Sequence, residues 1–390
     1  MREDIVIVSA VRTPIGRFGG CLKEINSGEL ASIVIKESLE RAGIESKLID
    51  EVIFGEVRQS TESSNVARVA ALRAGVPETV PAFTVNRLCA SGMQAVTSGI
   101  GQILTQQAEI IVAGGTENMS NAPIYLRNSR YGEGNPRLID SNLEAGQQPK
   151  ELYGSNLGMG MTAENVAERF QISRQEQDEF ALISQQKAAD AIRDGRFKEE
   201  IIPISIKGQM ISLDEHPRPN TTLEKLERLK PVFKENGSVT AGNACGRNDG
   251  AAAMVIMTAT KAKTLGLRPI AKVVNWATSA VSPEIMGIGP VPAIQTLLKR
   301  TNKSLTDIGL IELNEAFAAQ ALAVIKEADL DPQKVNVNGG AIALGHPLGA
   351  TGVRIMTTLL YEMRKRNERL GIATLCVGGG QGMAIMLELL

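Results

Sequence analysis

Two stretches decide how this chain folds: Ile110-Ile111-Val112-Ala113-Gly114-Gly115 and Thr374-Leu375-Cys376-Val377-Gly378-Gly379. Each is a short apolar run ending in paired glycines. That is the pattern of a buried strand running into a place where backbone passes close to something else. One stretch lies in the first third of the chain and the other at its end. The echo points to a duplicated fold.

Outward from the first stretch, strands are expected at Asp4–Ser9, Glu51–Phe54, Ala82–Val85 and Glu109–Ala113. Helices are expected between them at Leu30–Leu39, Val66–Ala74 and Ser91–Leu104. Asn26 or Ser27 caps the first helix and Gly43 ends it. Outward from the second stretch, strands are expected at Ala271–Trp276, Leu310–Leu313, Lys334–Val337, Ile372–Val377 and Met383–Leu389. Helices are expected at Val291–Lys299, Glu315–Ala328 and Ala350–Arg366. Such alternation predicts α/β layers around a largely buried sheet.

The middle differs. From about Ser120 to Lys234 the chain is polar, with irregular stretches at Asn121–Gln148 and His216–Asn220. One helix stands out, Ser173–Asp194, with Ser173 and Glu176 as a capping box and Gly195 as its stop. Loops this long in a compact protein are usually functional, so an inserted lid or ligand-holding domain is expected.

At 390 residues the chain exceeds what one core usually supports, so two or three packed units are expected. The 42 Lys and Arg residues nearly cancel the 43 Asp and Glu, leaving no global field to attract nucleic acid. A phosphate-bearing ligand then needs a local basic patch. The start, Met1-Arg2-Glu3-Asp4, lacks the apolar core of a signal peptide. No apolar run approaches the ~18 residues of a membrane span, and a cytoplasmic setting is expected. The cysteines Cys21, Cys89, Cys245 and Cys376 lie far apart with no CxxC pair. That argues against a zinc site and a disulfide framework, and for free thiols.

Only two histidines are present. His346 sits in the glycine-rich run from Asn338 to Gly352, which opens a helix and lets backbone approach a ligand. His216, in a polar loop, is expected at the surface. Cys89 follows a strand and precedes a helix, where the helix dipole favours thiolate. A buried structural cysteine is an equally good reading of that context. Cys376 runs into Gly378-Gly379-Gly380-Gln381-Gly382, where backbone N–H groups can face a developing oxyanion. Such glycines also bind phosphates, but no lysine follows them and no GxGxxG follows the first strand. Asn314, between a strand and a helix, either caps that helix or holds a water against a substrate carbonyl.

Taken in chain order, these segments resemble the thiolase family over essentially the whole length. The resemblance is carried by Val8-Ser9-Ala10-Val11-Arg12-Thr13-Pro14-Ile15-Gly16, by the Cys89 segment and by Val239-Thr240-Ala241-Gly242-Asn243-Ala244. It continues through Met286-Gly287-Ile288-Gly289-Pro290, Asn314-Glu315-Ala316-Phe317 and the His346 and Cys376 loops. It implies a duplicated, five-layered α/β fold. One half comprises residues 1–119 with 239–267, the other 268–390, and an inserted loop domain, 120–238, covers coenzyme A.

The resemblance also implies roles. Cys89 takes the acyl group, His346 activates it, and Cys376 moves a proton on the acetyl methyl group. One oxyanion hole uses His346 with a water held by Asn314, the other the N–H groups of Cys89 and Gly378. Arg218 matches the nucleotide end of coenzyme A. Met159, Phe233, Ala241, Ala244, Met286 and Phe317 match the pantetheine tunnel. Three departures stand out. Gly158 replaces a histidine of many acetoacetyl-CoA thiolases, Cys245 a serine that contacts ligand, and Lys225 a serine on the nucleotide side.

The implied reaction is the reversible condensation of two acetyl-CoA to acetoacetyl-CoA and coenzyme A, within fatty acid metabolism. The stretch Met159–Phe170 looks somewhat like degradative 3-ketoacyl-CoA thiolases, which keeps longer 3-ketoacyl-CoA substrates as the alternative. A ketoacyl synthase is disfavoured by Cys376, and a non-catalytic acyl-CoA-binding protein by the full set of four residues. No metal or redox cofactor is implied, because coenzyme A is substrate and product. A homodimer or homotetramer is implied, with Asn121–Gln148 as a contact loop.

Overall fold

The computed structural model describes residues 3–132, 134–144 and 146–390, so Met1 and Arg2 of the charged start lie outside it. The first half is built from β1 (Ile5–Arg12), α1 (Ser27–Ala42), β2 (Glu51–Gly55), α2 (Val66–Arg73), β3 (Ala82–Val85), α3 (Ser91–Leu104) and β4 (Ile110–Asn118). Asn26, not Ser27, caps α1: its side chain accepts the Glu29 N–H, and Gly43 ends the helix at φ 67°.

After β4 the chain leaves the sheet. The stretch expected to be irregular contains a hairpin, Ile124–Arg127 against Arg137–Asp140. Besides short helices at Ser141–Glu144, Lys150–Tyr153 and Leu223–Glu227, the segment holds two longer ones, α4 (Met159–Arg169) and α5 (Arg174–Arg193), and α5 begins with the expected Ser173–Glu176 capping box. The chain returns as β5 (Asn248–Thr258). The second half then runs through β6 (Ala271–Ala280), α6 (Pro290–Thr301), β7 (Leu310–Leu313), α7 (Ala318–Glu327), α8 (Leu348–Arg366), β8 (Leu370–Val377) and β9 (Gln381–Leu389).

The duplication is written in the strand order. In the first half the sheet runs β1-β5-β4-β2-β3, and in the second β6-β9-β8-β7. In each half the first strand pairs antiparallel with the last. The last pairs antiparallel with the strand before it, which is parallel to the next. The fifth position of the second half is the expected strand Lys334–Val337, reduced here to one parallel bridge, Val335 to Ile311. The reason is Asn336: its side chain accepts from Leu313 N and donates to Leu313 O, taking the place of a backbone ladder. The stretches that echoed in sequence, β4 and β8, hold equivalent places. The halves join edge to edge where β1 pairs antiparallel with β6, Ile5 opposite Val273 and Ile7 opposite Ala271.

Five layers result. Helices α1 and α2 cover one sheet, α6 covers the other, and α3 and α8 lie between them. Helix α8 touches β4 and β5 of the first half as well as β7 and β8 of the second. The central layer is dry: Met93, Val96, Ile100, Val353, Met356 and Leu360 are all buried there.

Helices α3 and α8 cross backbone to backbone. A Cβ on Gly92 would stand 2.8 Å from Gly349 O, and one on Gly352 only 2.4 Å from Met93 N. No side chain fits at either place. Gly352→Val should therefore destabilise the protein by about 1–3 kcal/mol through overpacking. Urea unfolding followed by circular dichroism checks this, and an unchanged midpoint contradicts the close crossing.

Candidate active site

Cys89 is placed by a tight turn between β3 and α3. The Asn86 side chain accepts the Leu88 N–H at 2.9 Å. Ser91 Oγ accepts the Arg87 N–H at 2.9 Å and donates to Leu88 O at 2.6 Å. These bonds hold Leu88 at φ 46°, a left-handed conformation that a leucine rarely adopts. The turn presents Cys89 at the N-terminus of α3.

His346 comes from the other half but is held by the first. Asn248 Oδ1 accepts the His346 N–H at 2.9 Å, and its amide nitrogen donates to Gly16 O at 2.9 Å. Gly345, at φ 104°, must be glycine, because a Cβ there would meet Asn248 Cγ at 2.5 Å. Thr351 Oγ1 donates to Pro347 O and so accepts from His346 Nδ1, at 2.7 Å. That network assigns the proton to Nδ1 and leaves Nε2 as an acceptor, 3.4 Å from Asn314 Nδ2.

Asn314 is not a helix cap. Helix α7 starts at Ala318 with Phe317 at its cap position, three residues later than expected. Asn314 is instead fully buried, with its amide against His346 and its Oδ1 lacking a partner. The neighbouring Glu315 turns the other way, accepting from Ser184 Oγ at 2.7 Å and Asn336 Nδ2 at 2.8 Å.

Cys376 lies at the end of β8, fully buried, and the chain then reverses through Gly379 and Gly380 at φ 78° and 84°. Cys89, His346, Cys376 and Gly378 line one cavity of about 750 Å³. Met159, Phe233 and Ala244 line it too, as do Cys245, Met286 and Phe317. Phe233 and Phe317 meet edge to face at 6.3 Å. Arg218, Ala241 and Lys225 do not reach this cavity. They line an adjoining one of about 410 Å³, which shares Ala244 and Gly246 with the first.

Among the departures, Gly158 borders the larger cavity, and a Cβ there would meet nothing within 4 Å. His216 is not a free surface residue. Its ring packs on Gly246, half-buried in the wall of the smaller cavity, and burial, then Arg218, pushes it down to about 4.

The electrostatics correct one expectation. The helix start does not produce a resting thiolate at Cys89. Burial pushes that thiol up to about 11, and the N–H groups of Gly378 and of Cys89 itself pull the other way. Burial likewise raises Cys245 to about 12 and Cys376 well above the ordinary thiol range, with the neighbouring thiols adding to both. His346 is pushed down to about 3, by burial first and the charge of Arg354 second. Burial thus favours a neutral thiol beside a neutral imidazole at rest.

Sequence reasoning missed Thr351, Asn248 and Glu117. Glu117 accepts the N–H groups of Val57, Arg58 and Gly349 at 3.1, 2.9 and 2.8 Å, pinning the start of α8 to the first half. A glutamate inside an apolar strand, in Gly-Gly-Thr-Glu-Asn, was the available signal.

Two equivalent α/β modules that share a thiol-lined cavity at their seam define a class of duplicated thiol enzymes. The chain belongs to the thiolase family: the thiolase N-terminal domain matches residues 5–260 and the thiolase C-terminal domain residues 267–389. It is 49% identical to an acetyl-CoA acetyltransferase of Syntrophomonas wolfei over 401 residues, covering 100% of both chains. The structure resembles the Bacillus anthracis acetyl-CoA acetyltransferase with TM-score 0.96 and 48% identity, over 100% of this chain and 99% of that one. It resembles human mitochondrial 3-ketoacyl-CoA thiolase in complex with CoA equally well, TM-score 0.96 at 44% identity, over 100% and 98%.

The raised Cys89 thiol makes a pH prediction. Below its pKa the thiolate fraction grows tenfold per pH unit, so alkylation of Cys89 by iodoacetamide should accelerate about tenfold per unit between roughly pH 7 and 10. Peptide mass spectrometry measures the rate at Cys89, and a rate already flat at pH 7 contradicts the burial argument.

Proposed function

We propose that the chain is an acetyl-CoA C-acetyltransferase that catalyses the reversible condensation of two acetyl-CoA to acetoacetyl-CoA and coenzyme A. The observation that carries this reading is the meeting of two thiols, Cys89 and Cys376, with His346 on one cavity, and of Asn314 against the His346 ring. A hydrolase needs one nucleophile. A second buried thiol facing the first suits a reaction in which one sulfur holds an acyl group while the other moves a proton. The names of the relatives support the same reading.

The Cys89 sulfur attacks the thioester carbonyl, and its proton passes to His346 Nε2 as the carbon–sulfur bond forms. The tetrahedral intermediate collapses, the coenzyme A sulfur leaves with the Cys376 proton, and acetyl-Cys89, protonated His346 and the Cys376 thiolate remain. Cys376 then removes a proton from the methyl group of the second acetyl-CoA. The thioester oxygen of that substrate faces His346 and a water held by Asn314. The carbanion attacks the acetyl carbonyl, whose oxygen faces the N–H groups of Cys89 and Gly378. The new carbon–carbon bond forms, the Cys89 carbon–sulfur bond breaks, the proton on His346 returns to the Cys89 sulfur, and Cys376 keeps the methyl proton as a thiol. Every electron and proton balances with these groups, so the scheme calls for no metal or redox cofactor.

Coenzyme A fits as substrate and product, its pantetheine passing Met159, Phe233, Met286 and Phe317. Its nucleotide lies toward Arg218 and Lys225 in the adjoining cavity, with Ala241 and Ala244 between. The open space at Gly158 favours a second reading, tolerance of longer 3-ketoacyl chains. The test is thiolysis of acetoacetyl-CoA with coenzyme A, repeated across acyl lengths. Cys89→Ala should lose all activity, and Cys376→Ala should retain labelled acetyl on Cys89 but lose condensation. Full thiolysis by Cys89→Ala would falsify the scheme.

A homodimer or homotetramer in the cytoplasm, serving fatty acid metabolism, completes the reading. No helix among the described residues is long and apolar enough to cross a membrane. The hairpin after β4 exposes Ile124, Leu126 and Leu138, and Tyr131 at its tip is 84% exposed, an apolar patch suited to contact with another copy. Light scattering should give a mass of two or four chains, and Leu126→Asp with Leu138→Asp should lower it. A stable monomer for the unaltered chain contradicts this.

A further inference from the structure

Behind the Asn314–His346 contact lies a second pair on the same two elements. The strand direction of β7 continues to Asn314, whose N–H donates to Thr374 O at 3.0 Å. Glu312 and Asn314, two apart in extended chain, therefore share a face. On α8, Thr351, which holds the His346 ring, and Arg354 are one turn apart and share a face as well. Glu312 and Arg354 meet at 3.8 Å. The strand and helix that bring an amide to an imidazole thus also bring a carboxylate to a guanidinium one step deeper.

Arg354 is 2% exposed, and none of its three guanidinium nitrogens has a hydrogen-bond partner. Other charges nearby do not neutralise it. Glu200 and Asp214 are engaged by Arg12, at 2.6 and 2.7 Å. Glu362 serves Arg196, Arg366 and Asn338, and Glu315 serves Ser184 and Asn336. Burial pushes Glu312 up against the pull of Arg354 and works against the Arg354 charge as well. The guanidinium keeps its proton. With no acceptor within hydrogen-bond distance and its one carboxylate 3.8 Å away, its charge is left under-compensated.

We propose that Arg354 is a positioning residue for acyl transfer: buried beside Glu312 with no hydrogen-bond partner, it sets a positive potential behind His346 and Asn314 that favours negative charge developing on a thioester oxygen there. The proposal rests on the acyltransferase reading. Its effect on His346 can be read without any substrate.

The chain has two histidines, so carbon-13 labelling gives two signals, assigned with His216→Gln. In R354M the His346 signal should titrate at higher pH than in the unaltered chain, because a neighbouring cation has gone. In R354K it should stay, and in E312Q it should stay or move lower. In thiolysis, R354M should lower kcat about tenfold, less than the roughly hundred- to thousandfold of a lost oxyanion-hole donor, because Arg354 acts at one remove from the oxygen. KM should remain within about twofold, the sign of an interaction made in the transition state. R354K should recover most of the loss, and E312Q should remain within about threefold. A pair that only braces the fold predicts equal losses in R354M and E312Q with an unmoved His346 signal, and that result overturns the proposal. Should R354M not fold, R354Q with the same readouts decides. If the unaltered chain shows no thiolysis, the acyltransferase reading fails, while the histidine titration still tells whether Arg354 sets the charge of His346.

Discussion

The structure depends on one contact, the backbone-to-backbone crossing of α3 and α8. Cys89 stands at the head of α3 and His346 just before α8, so their separation is the separation of the two helix starts. Side chains of ordinary size at the crossing would push the helices toward the 8–10 Å of normal packing. Gly92 and Gly352 remove that spacer, and Gly115 extends the same logic into the sheet, where a Cβ would stand 1.9 Å from Gly349 O. Glu117 then locks the register by accepting the Gly349 N–H. Its carboxylate also faces the positive end of α8, where an anion is favoured. Burial pushes Glu117 up while those N–H bonds pull it down, and Glu56 beside it rises to about 8. The clamp is a strained electrostatic arrangement kept dry by the layers around it.

The inserted segment is fastened by the same kind of buried polar contact. Arg12 on β1 holds Glu200 and Asp214, all three buried, and cannot lose one partner without leaving a charge stranded. Burial works against the Arg12 charge, but the two carboxylates outweigh it and hold the guanidinium firmly protonated. Glu315, next to Asn314, receives Ser184 of α5 and the Ile342 N–H. Residues beside the reacting groups in sequence thus tie down the insertion, and Phe233 and Met159 reach the cavity from a segment anchored at both ends.

Much of the fold was legible because its signals are local. Apolar runs, caps and glycine stops marked α1, α5 and most strands within a few residues. The duplication was legible through β4 and β8, which hold equivalent places in the two halves. What sequence could not show was contact made across long separations. Val335 looked like strand, but Asn336 spends its side chain on the backbone of Leu313 and breaks the ladder. His216 looked like surface until Gly246 gave its ring a place to pack. At the site, the cysteines, His346 and Asn314 stood out through glycine context and family resemblance. Asn248 and Arg354 gave no such sign, because the first acts on a residue about a hundred positions away and the second lies inside a regular helix; Glu117 was marked only by its place in an apolar strand.

Burial at the site ties the fold to the chemistry. A thiol at about 11 and an imidazole at about 3 are poor partners for proton exchange at rest. Both values come chiefly from exclusion of water, and exclusion acts on the thioester as well. In the proposed scheme an oxygen that gains negative charge meets the N–H groups of Cys89 and Gly378 already in place, with little bulk solvent to reorganise. The same dryness that disfavours a free thiolate therefore favours the tetrahedral intermediate, provided charge appears only as bonds form. Cys376 carries the argument further. Its thiolate is costly to form, which makes it a strong base once formed, and a weakly acidic methyl group requires a strong base. In the proposed scheme, layers that bury both sheets and both central helices are what let two ordinary cysteines serve as nucleophile and carbon base side by side.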